Sequence, residues 1–192
     1  MHPAELFWTA TIGFLVVGSL GWLLSIYNGF IELRNQIGRA WANIDVLLKQ
    51  RHDEVPKLVA ICEGHMAHER AVFDRLSDAR AALAGARSVR QRADAEGRVG
   101  RALGDLIAVA EAVPELRTSE TFRALQQRVS ELENRIADRR EFYNDVVTIH
   151  NTRLEQLPDA WIAQGMRLVP AEHYRIATVE REDPGIEWRR SA

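Results

Sequence analysis

Cysteine is almost absent from this sequence, which has a single one, Cys62, among its 192 residues. A lone cysteine excludes an internal disulfide and a zinc site built from several cysteines. Because Cys62 falls on an apolar stripe, the pattern predicts a small buried side chain rather than a reactive thiol. The domain is therefore suited to a reducing compartment.

The chain also lacks a strong excess of either charge. Its 25 lysine and arginine residues nearly balance its 27 aspartate and glutamate residues, and the formal net charge is −2. Proteins that coat nucleic acid are usually clearly basic, so this balance disfavours nucleic acid as a partner. With 27% charged and 46% hydrophobic residues, the composition is that of a folded protein rather than a disordered one.

Catalytic motifs are missing as well. The sequence contains no Gly-rich phosphate loop and no Gly-x-Ser-x-Gly motif. One cluster, His65, His68 and Glu69, has the residue types of a zinc site. The zinc-protease pattern needs histidines four apart with a glutamate directly after the first, and this cluster does not have that spacing. We predict polar helix surface here, with a metal site as the alternative, and hence no catalytic residue, metal ligand or cofactor.

One long hydrophobic run stands out against this background. Residues 7–27, "FWTATIGFLVVGSLGWLLSIY", contain no charged side chain. About 20 apolar residues in a helix cover the ~30 Å hydrocarbon core of a bilayer, and aromatic residues prefer the two interfaces. The sequence therefore predicts one membrane-spanning helix, whose predicted anchor residues are Phe7, Trp8, Gly18, Gly21, Trp22 and Tyr27.

The residues that flank this run predict its orientation. The first six, "MHPAEL", contain no lysine or arginine, and no clear cleavage site follows the run, so a cleaved signal peptide is disfavoured. Downstream come Arg34, Arg39, Lys49 and Arg51. Because basic residues stay on the cytoplasmic side, we predict a single-pass inner-membrane protein with its N-terminus outside and its main domain in the cytoplasm.

The spacing of apolar residues beyond the run predicts helices throughout, and no segment alternates like a strand. No turn-forming cluster separates the membrane run from the first amphipathic stripe, which consists of Ile26, Phe30, Leu33, Ile37, Trp41, Ile44 and Leu48. We predict an all-α fold, in which an N-terminal transmembrane helix continues into an antiparallel bundle of long helices. The first predicted elements are a helix from about 5 to 53, a break or sharp kink near 53–56 caused by Pro56, and a helix from about 56 to 85. A polar connector or a frayed helix is predicted at 84–100, followed by a short helix ending at Pro114. The last two predicted elements are a coiled-coil-like helix from Thr118 or Ser119 to about Leu157 and a short helix over 160–166 capped by Asp159.

The stretch "YNGFIELRNQIGRAWANIDVLLKQRHDEVPKLV" closely resembles the signature of the LemA family. The segments that carry the resemblance are Tyr27–Asn28, Leu33–Asn35, Ala40–Val46, Arg51–Val59, His68–Glu69 and "FYNDVVTIHNTRLEQLP" at 142–158. The match spans about residues 27–165. The resemblance implies an N-terminal membrane helix with an outward N-terminus, a cytosolic antiparallel helical bundle and no established enzymatic activity.

These expectations divide the chain into four predicted segments: a short extracytoplasmic N-terminus at 1–6, the transmembrane helix at 7–27, a LemA-like cytoplasmic bundle at 28–165 and a C-terminal extension at 166–192. The extension is more polar than is usual in the family. The residues predicted to build the bundle or its interactions are Asn28, Arg34, Asn35, Trp41, Ile44, Asp45, Arg51, His52, Asp53, Pro56, Tyr143 and Asn144.

The favoured function is a non-enzymatic, membrane-anchored helical scaffold that assembles with itself at the cytoplasmic face. A helix that continues rigidly from its anchor fixes the orientation of the bundle to the bilayer, and this favours ordered assembly. The alternative is a membrane-tethered sensor or adaptor that recruits a cytosolic protein through its C-terminal tail. The expected partners are therefore the lipid bilayer and further copies of the chain, with a tail-bound protein in the alternative.

Overall fold

The computed structural model describes the backbone of residues 3–66 and 68–175, and the side chains there except those of residues 3–6 and Thr9. Within these ranges the fold is all-helical and contains no strand, which confirms the predicted fold class. The helices are α1 (Pro3–Glu63), α2 (Arg70–Ala84), α3 (Val89–Glu111), α4 (Pro114–Thr118), α5 (Glu120–Glu155) and α6 (Asp159–Gly165).

Helix α1 runs without interruption for 61 residues, which corresponds to roughly 90 Å at 1.5 Å per residue. Its apolar side chains are exposed up to Leu24, and regular burial of one face begins at Ile26. Among the described residues, α1 is the one helix long and apolar enough to cross a bilayer, judged by length and composition. The predicted continuity between the apolar run and the amphipathic stripe is confirmed.

Of the break or sharp kink predicted near 53–56, the break is wrong, because α1 continues through Pro56 to Glu63. Proline removes one backbone donor and disfavours the helix interior. Pro56 is itself exposed, while its neighbours Val55 and Leu58 are 2% and 0% exposed. Burial of these two side chains offsets the cost of the proline.

The chain turns instead at Gly64. The backbone N–H groups of His65 and Met66 both donate to the carbonyl of Cys62, at 3.0 and 2.8 Å. The helix predicted from 56 to 85 is therefore split into the end of α1 and a separate α2.

Of the two alternatives predicted for 84–100, the polar connector is wrong over most of its length, because the segment is helical from Val89 onward. Helix α3 begins at Val89, and the Ser88 hydroxyl caps it by accepting from the N–H of Gln91 at 3.1 Å. Ala93 and Ala95 are buried in this first part of α3. Alanine is small, so the spacing of large apolar residues does not reveal this buried face. The arginines between these positions give the segment the composition of a solvent-exposed connector.

The described chain forms two compact units. The first comprises the residues up to Ala60 together with Glu120–His173, and contains α5, α6 and most of α1. The second comprises Ile61–Ser119 and the described residues from Tyr174, and contains α2, α3 and α4. Helices α2 and α3 pack on each other, and α3 also contacts α4. The segment boundaries predicted at residues 6, 27 and 165 stay predictions.

Cys62 is expected to be almost inert in the folded protein. Its side chain is 0% exposed, and burial raises the pKa of its thiol to about 11. The reactive species is the thiolate, so at neutral pH both access and ionisation oppose the reaction. A maleimide or an aromatic disulfide should label Cys62 slowly in the native protein and rapidly in denaturant. Equal labelling rates in the two states would contradict this burial.

Candidate functional site

Helices α1 and α5 contact each other along the first unit through a series of side-chain pairs. The pairs are Phe30 with His150, Trp41 with Tyr143, Arg51 with Glu133, and Glu54 with Arg128. Residue numbers rise along α1 as they fall along α5, so the two helices run in opposite directions over this stretch. The antiparallel arrangement of the bundle as a whole stays a prediction.

The charged pairs Arg51–Glu133 and Glu54–Arg128 lie at the end of this series that is farthest from the apolar run. We term them the ion-pair level. The Arg51 guanidinium, only 2% exposed, donates to the Glu133 carboxylate at 2.8 Å. Next to it, Glu54 accepts from Lys57 at 3.0 Å and lies 3.5 Å from Arg128. The hydrogen bond from Lys57, helped by the charges of Lys57 and Arg128, holds the pKa of Glu54 below its ordinary value. A buried charge needs its partner in place, so this level favours one alignment of the helices.

An aromatic level lies between the two ends. The rings of Trp41 and Tyr143 are 5.6 Å apart and tilted by 59°. Tyr143 is buried, and its hydroxyl donates to the backbone carbonyl of Glu172 at 3.0 Å. Burial, together with the charge of Glu172, raises the pKa of Tyr143. Tyr143 therefore ties α1, α5 and the chain after α6 together.

The segment 166–173, which we term the C-terminal strap, runs back along α5. Arg167 adopts a left-handed conformation (φ 53°) at its start. The Asn151 side-chain amide makes two hydrogen bonds with the backbone of Ala171, at 2.9 and 2.8 Å. Thr148 contacts His173 at 3.0 Å. The first part of the predicted C-terminal extension thus packs on α5.

The level closest to the apolar run is built around Phe30. Ile26, Phe30 and Ala163 form a buried apolar cluster, and four partly buried side chains pack against it: Leu154, Ile162, Met166 and Leu168. We term this set the proximal cluster. It places α6 against the part of α1 where the apolar run ends.

Arg153 lies between the apolar proximal cluster and the Asp159 carboxylate. Its guanidinium carbon lies 4.7 Å from the centre of the Phe30 ring, a cation–π geometry. Its Nε also pairs with the Asp159 carboxylate at 2.5 Å. A Cβ at Gly29 would lie 2.8 Å from a guanidinium nitrogen of Arg153, so a glycine permits this close approach. The predicted capping role of Asp159 is wrong, because α6 has no side-chain cap and Asp159 pairs with Arg153 instead.

The structure divides the residues predicted to build the bundle into two groups. Trp41, Ile44, Asp45, Arg51, Tyr143 and Asn144 are buried or partly buried. The exposed ones are Asn28, Arg34, Asn35, His52, Asp53 and Pro56. The predicted anchor residues Phe7, Trp8, Gly18, Gly21, Trp22 and Tyr27 are exposed as well. Sequence reasoning singled out neither Glu133 nor Asn151 nor Arg153, since each has a partner far away along the chain.

The candidate zinc cluster does not lie on a helix face. His65 and His68 are exposed in the turn between α1 and α2, and Glu69 directly precedes α2. Within residues 3–66 and 68–175, no group of three or more histidine, cysteine, aspartate or glutamate side chains could hold a metal ion.

The fold and its junction define a class: all-helical proteins in which one membrane-length helix continues directly into packed helices. The chain belongs to the LemA family, whose model matches residues 40–188. This confirms the resemblance found in the sequence, and together with α1 it supports a helical, membrane-associated protein.

Curated relatives are similar in sequence over most of the chain. Two magnetosome proteins of Paramagnetospirillum magneticum, MamQ 1 and MamQ 2, are each 25% identical to it, over 83% of this chain and 68% of theirs. The magnetosome protein MamQ of Magnetospirillum gryphiswaldense is 24% identical, over 81% of this chain and 67% of its own.

Proposed function

We propose that this protein is a membrane-anchored, non-enzymatic scaffold that assembles with itself at the cytoplasmic face of the inner membrane. The observation that carries the proposal is the continuity of α1. Its exposed apolar segment and the part that packs on α5 belong to one uninterrupted helix. Copies anchored in one bilayer would share one orientation. Confinement in the bilayer also raises their effective concentration, so modest contacts suffice for assembly.

The outer flank of α5 offers a surface for such contacts. Phe142 and Ile149 are 48% and 50% exposed. They are seven residues apart, so they lie on one side of the helix, as seam positions in a coiled coil do. Because copies anchored in one bilayer share one orientation, a twofold axis along the membrane normal would bring each of these apolar residues against its counterpart in the second copy. We term Phe142 and Ile149 the α5 stripe.

Cysteine crosslinking in membranes tests this surface. With Cys62→Ala as background, Asp145→Cys places a thiol between the two stripe residues and leaves both in place. We expect an oxidant to convert this variant to a covalent dimer. Ala137→Cys is the matched control, since Ala137 is exposed but lies about 140° around α5 from Phe142. It should stay monomeric.

The stripe itself is tested by adding Phe142→Ser and Ile149→Ser to the Asp145→Cys variant. If the stripe forms the contact, crosslinking should fall to the level of the Ala137→Cys control. Equal crosslinking with and without the stripe would overturn the proposed surface. A strict monomer at every concentration in mild detergent, without crosslinking in membranes, would overturn self-assembly altogether.

In the adaptor alternative, the partner binds the C-terminal tail at 178–192, which lies outside the described residues.

A further inference from the structure

Three large apolar side chains are exposed next to the proximal cluster. Leu157, Trp161 and Val169 are 67%, 68% and 74% exposed, the last in the C-terminal strap. All three belong to the first unit and surround the short helix α6. We term them the α6 patch. Because α6 buries Ala163 against α1, and Trp161 lies about 200° around the helix from Ala163, the indole points away from the protein interior.

The height of the α6 patch along α1 follows from the contacts of α5. Arg153, near the end of α5, lies over Phe30 and against Gly29. Extending that spacing to the last residue of α5 brings Glu155 to about the level of Tyr27, where the apolar run ends. Helix α6 comes next and packs directly on Ile26, which lies inside that run. The α6 patch is therefore level with the end of the membrane-spanning segment.

The charged side chains near the α6 patch are Arg153, Glu155, Asp159 and Arg167, and Glu155 is exposed at the level of the head groups. Arg153 and Asp159 are partly buried and pair with each other, so each charge keeps its partner when α6 contacts lipid. Arg167 is exposed two residues before Val169. A long arginine side chain can reach lipid phosphates while its stem stays on apolar surface. Tryptophan itself prefers the membrane interface, where its ring is buried and its N–H stays wet.

We propose that the α6 patch inserts into the head-group region of the bilayer that holds α1. Helix α6 is then a second, interfacial membrane contact, beside the transmembrane one. It would hold the end of α5 against the lipid surface and oppose tilting of the helix pair about Tyr27. The proposal rests on the anchoring of residues 7–27 in the membrane but not on self-assembly.

Site-directed labelling of the full-length chain in lipid vesicles tests the α6 patch. Cys62→Ala removes the native thiol, and Trp161→Cys or Val169→Cys then carries an environment-sensitive fluorophore. The vesicles contain phosphatidylcholine and phosphatidylglycerol, with bromine atoms near the head-group end of the acyl chains as quenchers. Iodide in the buffer is the aqueous quencher. Both substituted positions are exposed, so the labels leave the core intact.

Two further positions calibrate the readout. Val46→Cys is the aqueous control, since Val46 is an exposed apolar residue of α1, roughly 30 Å beyond Ile26. Gly18→Cys reports insertion of the anchor. We expect several-fold stronger quenching by brominated lipid at positions 161 and 169 than at position 46. Iodide should quench in the reverse order.

The outcomes separate this inference from the proposed anchoring. Lipid quenching at position 18 without quenching at 161 and 169 would overturn the interfacial contact and leave the anchor intact. Protection of position 161 from both quenchers would mean that a second copy covers the α6 patch, which also overturns the inference. Absence of lipid quenching at position 18 would overturn both the anchoring and the inference that depends on it.

Discussion

Phe30→Ala is expected to lower the free energy of unfolding of the first unit by about 3–5 kcal/mol, the usual cost of truncating a buried phenylalanine. Phe30 is 1% exposed and forms the centre of the proximal cluster. Its removal leaves a cavity and uncovers two polar groups at once. The His150 ring loses its edge contact at 6.2 Å, and the Arg153 guanidinium loses the ring beneath it.

Tryptophan fluorescence can report this loss selectively. Residues 61–119 contain no tryptophan, whereas Trp8, Trp22, Trp41 and Trp161 belong to the first unit. With Trp188→Phe as background, urea titration in detergent micelles therefore follows the first unit alone. Val46→Ala is the control, because it truncates an apolar side chain of α1 that is 57% exposed and lies outside the α5 stripe. A comparable loss in both variants would show that Phe30 is not a core residue.

The sequence predicts the burial of Phe30 but not its surroundings. Spacing by three and four residues identifies the buried face of α1, because burial repeats with the helical period. It carries no information on which residue of α5 meets that face. Gly29 looks like a helix-weakening residue in isolation, and its reason appears only when Arg153, far along the chain, lies against it.

The errors in the predicted helix bounds share one cause, which is that tertiary burial outweighs local propensity. Pro56 has an unfavourable local preference, yet Val55 and Leu58 pack on either side of it. The segment before Val99 has a polar composition, yet its alanines are buried in α3. The local sequence does not distinguish Gly64, the residue at which the chain turns, from the glycines that lie within helices.

The three levels of the α1–α5 pair have different consequences for function. The ion-pair and aromatic levels set the alignment of α5 on α1. The proximal level then places α6 at the end of the apolar run. A slip of α5 by one helical turn would move α6 by about 5 Å along α1, a large shift compared with the thickness of a head-group layer. Alignment of the helices and contact with the membrane are thereby coupled, so the proposed interfacial contact depends on residues far from it.

Arg51 and Glu133 are expected to be the strongest determinants of this alignment. Glu133→Gln keeps the shape of the side chain but removes the charge that faces the buried guanidinium, 2.8 Å away. Loss of one partner of a buried pair commonly costs 3–5 kcal/mol. Glu133 is 31% exposed, so solvent screens part of the effect, and we expect about 2–3 kcal/mol. Glu131→Gln, on the exposed face of α5, is the control and should cost little.

A double-mutant cycle then isolates the pair from the other interactions of Arg51. Arg51→Met, Glu133→Gln and the double variant are compared by the same fluorescence titration. The double variant should lose clearly less than the sum of the two single losses, because no buried charge is left without its partner. Strict additivity would mean that the ion pair does not hold α5 in place, and the alignment would then depend on apolar packing alone. Crosslinking between α1 and α5 should report a slipped register in Glu133→Gln but not in Glu131→Gln, since only the former leaves the Arg51 charge without its carboxylate.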